Sequence, residues 1–107
     1  MGKSQREKGA RGERDFVNRC KAAGFEAHRI PMSGASRFAA IKGRDVDLQI
    51  RGEPWPIELK WRGDGFKFIY SSLGENHALG IKADNQPWLV VVPLDRFLAA
   101  VSTGSNT

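Results

Sequence analysis

Asp47, Glu58 and Lys60 are the residues whose types and spacing most directly suggest chemistry. They lie in two stretches, Asp45 to Ile50 and Trp55 to Trp61, in which polar and apolar side chains alternate with the period of a strand. If Arg51-Gly52-Glu53-Pro54 joins them as a symmetric four-residue loop, Val46 meets Leu59, Leu48 meets Ile57 and Ile50 meets Trp55 on an apolar face. Asp47 then faces Glu58, and Asp45 faces Lys60, on the other side. Two opposed carboxylates repel unless a cation lies between them. Mg²⁺ suits such a pair, because it is usually held by one or two carboxylates together with water and a substrate phosphate. A lysine on the same face could orient the attacking water and neutralise charge developing on phosphorus. The chemistry implied is metal-dependent hydrolysis of a phosphodiester. The plainer alternative is a surface salt bridge between Glu58 and Lys60, with Asp47 turned to solvent.

These strands need elements to position them. Ala10, Phe16, Val17, Cys20 and Ala23 recur at helical spacing between Gln5 and Ala23, and Gly24 stops the pattern. Glu13 shares that apolar stripe and should point inward, toward either an arginine partner (Arg14 or Arg29) or a metal-bound water beside Asp47 and Glu58. Phe25 to Ile30 reads as a short strand, and Pro31 to Lys42, rich in Ser, Gly, Ala and Arg, as a mobile loop. Phe66, Ile69, Tyr70 and Leu73 mark a second helix; Ala78 to Lys82 and Trp88 to Val92 read as two more strands. Leu94, Phe97, Leu98 and Val101 give a closing amphipathic helix. The expected order is α-β-β-β-α-β-β-α in one domain, residues 1–107, with flexible tails at 1–4 and 102–107. The class is α+β or mixed α/β, with helices covering a central sheet.

At 107 residues the chain has no room for separate binding and catalytic domains. Seventeen Lys and Arg against twelve Asp and Glu give a net charge of +5 and a pI near 9.8, which favours a polyanionic partner. Arg14, Arg29, Arg37, Lys42, Arg44 and Arg62 lie on or beside the elements that carry the carboxylates, suited to clamp phosphates, and Ser33 and Ser36 could add neutral phosphate contacts. A basic but otherwise ordinary surface is the alternative. No element reads as a base-reading helix, so binding through backbone and shape is expected. Cys20 is the sole cysteine, which excludes an intrachain disulfide and fits a reducing cytoplasm; it reads as core. The opening residues have no apolar signal region and no run is long enough to span a bilayer, so a soluble protein without a membrane partner is expected. His28 and His77 have no partner at metal-ligand spacing along the chain and are not read as ligands. Trp55, Trp61 and Trp88 could be core, interface or a stacking surface for an opened base.

Taken together, Gly12-Glu13-Arg14, Arg29-Ile30-Pro31-Met32-Ser33-Gly34, Asp45-Val46-Asp47-Leu48 and Ile57-Glu58-Leu59-Lys60 resemble, in order, the motifs of archaeal-type Holliday junction resolvases. That family lies within the PD-(D/E)XK nuclease superfamily. The resemblance spans about Gly9 to Trp61 and weakens afterwards. It implies a PD-(D/E)XK nuclease-like mixed central sheet flanked by helices. It also implies catalytic Glu13, Asp47, Glu58 and Lys60, and a metal held by Asp47, Glu58 and the Leu59 carbonyl, with Glu13 acting through water or a second ion. Mg²⁺, or Mn²⁺ in its place, would be the cofactor, and branched DNA the substrate. A homodimer would place two cuts symmetrically, with Trp55, Trp61, Phe66, Phe68 and Trp88 as apolar residues for its interface. A nucleoid-associated protein in the cytoplasm, cellular or phage-encoded, is implied. Val46 stands where the superfamily's name expects proline, so the likeness to nucleases is firmer than that to resolvases. Flaps, nicks or duplex ends are alternative substrates, and a non-catalytic DNA-binding subunit is the reading of another class.

Overall fold

The structure is a computed structural model that describes residues 2–30 and 44–102. Its elements are α1 (Gly2–Ala22), β1 (Ala27–Arg29), β2 (Val46–Ile50), β3 (Glu53–Ile57), α2 (Lys67–Leu73), β4 (Leu79–Ile81), β5 (Leu89–Val91) and α3 (Leu94–Ser102). The class is mixed α+β, with three helices and small antiparallel sheets. The stretch read as a loop, Pro31 to Lys42, lies outside the described residues. Contacts group the chain into two compact units, Met1–Trp61 and Arg62–Thr107.

In the first unit α1 starts at Gly2, within the stretch expected to be a tail, and ends where Gly24 permits a left-handed backbone, φ 93°. The Gly24 N–H donates to the Lys21 carbonyl and the Phe25 N–H to the Cys20 carbonyl, which satisfies two carbonyls that the helix end leaves open. The sheet order is β1-β2-β3, with both pairings antiparallel. Val46, Leu48 and Ile50 are buried with Ala27 of β1 and with Val17 and Cys20 of α1, so one sheet face and the helix stripe form this unit's core. The alternate residues Asp47 and Gln49 point to the other face.

The hairpin register differs from the expected one. Val46 pairs with Ile57, Asp47 with Pro56, Leu48 with Trp55, Gln49 with Pro54 and Ile50 with Glu53. The turn is the two residues Arg51 and Gly52, at φ 54° and 83°, rather than four residues. Two successive left-handed residues match the right-handed twist of the flanking strands, which outweighs the strain at Arg51. The shift is by two positions, so the apolar faces still meet while every opposed pair changes. In such a hairpin the closing pair Ile50–Glu53 is hydrogen bonded, so Pro54 and Pro56 take positions whose nitrogens point away from β2. Proline is tolerated there, on the sheet's edge.

In the second unit β4 and β5 form a separate antiparallel ladder, Leu79–Val91 to Ile81–Leu89. All strand pairs among the described residues are antiparallel and lie in two sheets, in place of the single mixed sheet expected. Leu98 of α3 is buried and Leu94, Phe97 and Val101 are half-buried, so the closing helix turns its apolar stripe inward. The second helix marked by Phe66, Ile69, Tyr70 and Leu73 is α2, with Phe66 at its N-cap and Tyr70 73% exposed.

Candidate functional site

The stretch Glu58-Leu59-Lys60 follows β3 and is tied to the start of β2 by Asp45. The Asp45 N–H donates to the Ile57 carbonyl at 2.9 Å, the acceptor that regular pairing assigns to Val46, so two residues on one strand's side face one on the other's, as in a β-bulge. The Asp45 carboxylate then accepts the Leu59 N–H at 2.7 Å. Asp45 therefore fixes the backbone between Glu58 and Lys60, a role that strand alternation alone could not reveal. It does not face Lys60 across the ladder as the four-residue loop had implied.

Lys60 instead bonds its sequence neighbour but one: its Nζ lies 2.7 Å from Glu58 Oε2, with both side chains about half exposed. Asp47 faces Pro56, not Glu58. On its other side its Cα partner is His28 of β1, whose Nε2 lies 3.9 Å from Asp47 Oδ2. The neighbour that sequence spacing could not supply for His28 is thus provided by a different strand. Asp47 Oδ1 is buried and has no hydrogen-bond partner among the described residues.

Glu13 is 17% exposed and accepts from Arg29 Nε at 2.9 Å, which is the arginine-paired alternative for this inward carboxylate. Arg29 pairs with Val46 and so shares the helix-covered face, whereas His28 shares the face of Asp47. Glu13 and Asp47 accordingly engage partners on opposite faces of the sheet. Among the described residues no group of three or more His, Cys, Asp or Glu side chains gathers to hold a metal ion. The donor chemistry of Asp47 and Glu58 nonetheless fits a hard divalent cation, since carboxylate oxygens are its preferred ligands and one Asp47 oxygen is uncommitted.

Of the basic residues proposed for phosphate binding, Arg14, Arg44 and Arg62 are exposed and Arg29 is engaged by Glu13. Ser33, Ser36, Arg37 and Lys42 lie outside the described residues. Burial pushes the Cys20 thiol up from its ordinary value, which keeps it protonated and unreactive. A hollow of about 340 Å³ in the second unit is lined by Ile81, Lys82, Ala83, Gln86, Pro87 and Leu89 and gathers no catalytic set. No helix among the described residues is long and apolar enough to cross a membrane. Compared with known protein families, curated proteins and solved structures, the chain matches none.

Proposed function

We propose that the chain is a metal-dependent DNA endonuclease of the PD-(D/E)XK kind, acting on branched DNA and in particular on four-way junctions. The observation that carries this reading is the buried Oδ1 of Asp47, without a hydrogen-bond partner among the described residues, beside a hairpin that ends in Glu58 and Lys60. A buried carboxylate oxygen without a donor calls for a cation or ordered water. Asp47 and Glu58 would hold the ion, with the Leu59 carbonyl as a third donor. Bound Mg²⁺ or Mn²⁺ supplies Lewis-acid activation of water and phosphate. Lys60, kept in place by Glu58, orients the water and offsets charge on the phosphoryl oxygens. One water is consumed and one P–O ester bond is broken. The exposed Arg14 and Arg44 contact the DNA backbone.

Resolving a junction requires two symmetric cuts, which a C₂ homodimer supplies. Phe68, Trp88, Leu89 and Val90 are 58–71% exposed and offer the apolar surface for it, whereas Phe66 is half-buried.

The test is Mg²⁺-dependent cleavage of a four-way junction beside duplex, flap and single strand. Asp47→Asn or Glu58→Gln should abolish cutting and leave DNA binding in place; cutting that persists in EDTA, or in Glu58→Gln, refutes the assignment. The engagement of Glu13 by Arg29 favours a second reading, a DNA-binding subunit without turnover. Its signature is junction binding with no cleavage under any divalent cation.

A further inference from the structure

The first thirteen residues of α1, Gly2 to Arg14, carry five basic residues: Lys3, Arg6, Lys8, Arg11 and Arg14. Lys8, Arg11 and Gly12 fall on one stripe of that helix. Trp61, the residue after Lys60, lies along this stripe. Lys8 Nζ is 5.5 Å and the Arg11 guanidinium 5.6 Å from the indole centroid. A Cβ added at Gly12 would stand 2.9 Å from Trp61 Cε3, so the glycine provides the notch in which the ring rests.

Two further observations give this arrangement a direction. Trp61 remains 51% exposed although it is packed on the helix, so the covered half faces α1 and the rest faces solvent. Of the carboxylates on this part of the helix, Glu13 is engaged by Arg29 and Asp15 by Arg19, and Glu7 forms no ion pair with Lys8 or Arg11 among the described residues. Among the described residues Lys8 and Arg11 form cation–π contacts with the ring and no ion pair. An exposed indole flanked by two cations suits one ligand chemistry closely: a planar base between phosphates. Bases within a duplex have both faces covered by their neighbours, so only an unpaired nucleotide can offer its face.

We infer that Lys8, Arg11 and Trp61 form a stacking platform for an unpaired nucleotide of a DNA strand, next to Lys60. The inference deepens the nuclease reading, since it places the site where strands part, and it rests on the nucleic-acid side of that reading only. It is read from binding in EDTA, without turnover. In a chain carrying Trp55→Phe and Trp88→Phe, Trp61 is the sole tryptophan. Short oligothymidylate should quench its emission, and blunt duplex of equal length should quench it far less. Trp61→Leu should weaken oligothymidylate binding by roughly 5- to 150-fold while Trp61→Phe recovers most of it. Lys8→Gln and Arg11→Gln should each flatten the slope of log affinity against log salt by about 0.7. Far-UV circular dichroism establishes that the variants are folded, and the quench in the single-tryptophan chain needs no change at position 61. Unchanged emission on saturation, or undiminished oligothymidylate binding by folded Trp61→Leu, overturns the platform and leaves the nuclease reading standing. Binding of neither strand nor duplex removes both.

Discussion

Removing the Asp45 carboxylate should loosen Glu58-Leu59-Lys60 without touching any group proposed to contact DNA or metal. The bond lost is the charge-assisted one from the Leu59 N–H, 2.7 Å long and partly buried. Such bonds contribute roughly 1.5–3 kcal/mol, and the half-burial of Asp45 puts the expected loss for Asp45→Ala toward the lower end, about 1.5–2 kcal/mol. That corresponds to a fall in Tm of roughly 5–10 °C for a chain of this size. Asp45→Asn keeps a neutral acceptor and should lose about half as much. The direct assay is amide exchange at Leu59, which should speed up by roughly 10- to 30-fold in Asp45→Ala if local opening governs it. Junction cleavage should fall with it, because the Glu58–Lys60 pair then sits on a backbone free to rotate, while binding of DNA in EDTA stays near the parent's. An Ala variant as stable as the parent, or one with unchanged exchange at Leu59, would refute the assignment of Asp45 as the clamp of this segment.

Lys60→Ala should lose turnover yet bind Mn²⁺ as tightly as the parent by calorimetry, and loss of both together would make Lys60 structural. Arg29→Ala leaves the nearly buried Glu13 without its partner and should destabilise the fold by about 1–2 kcal/mol, discounted from the loss seen for fully buried pairs because Arg29 is 44% exposed. In urea melts, adding Glu13→Gln should restore part of that loss, and strict additivity would exclude the coupling. Cys20 titrates above its ordinary thiol value when folded, so the folded state holds its proton more tightly than the unfolded chain does. The resulting stability is complete below the ordinary value of 9.0 and is lost as pH rises from there toward the folded value. Cys20→Ala should flatten the alkaline limb of a stability profile, and an unchanged limb would show that another group controls it.

Much of the first unit was determined by pattern alone. The alternation of Val46, Leu48 and Ile50 with Asp47 and Gln49 dictates which side of β2 is buried, because side chains on a strand point to opposite faces. The stripe of Val17 and Cys20, stopped by Gly24, likewise determined α1 and its covered face, and the inward pull on Glu13 followed from the same stripe, whereas its partner, open between Arg14, Arg29 and a metal-bound water, became Arg29 only in the structure. What only the tertiary structure decided is who stands opposite whom. The two-residue turn at Arg51-Gly52 moved the register by two positions, which leaves the apolar and polar faces intact and is therefore invisible to alternation; it set Pro56, not Glu58, against Asp47. His28 met Asp47, Asp45 found the Leu59 amide and Trp61 settled on Gly12 through contacts between residues far apart in the chain. Local periodicity reports which face of an element is buried, whereas partners across elements depend on turn geometry and packing, to which the spacing of residue types along one chain is blind.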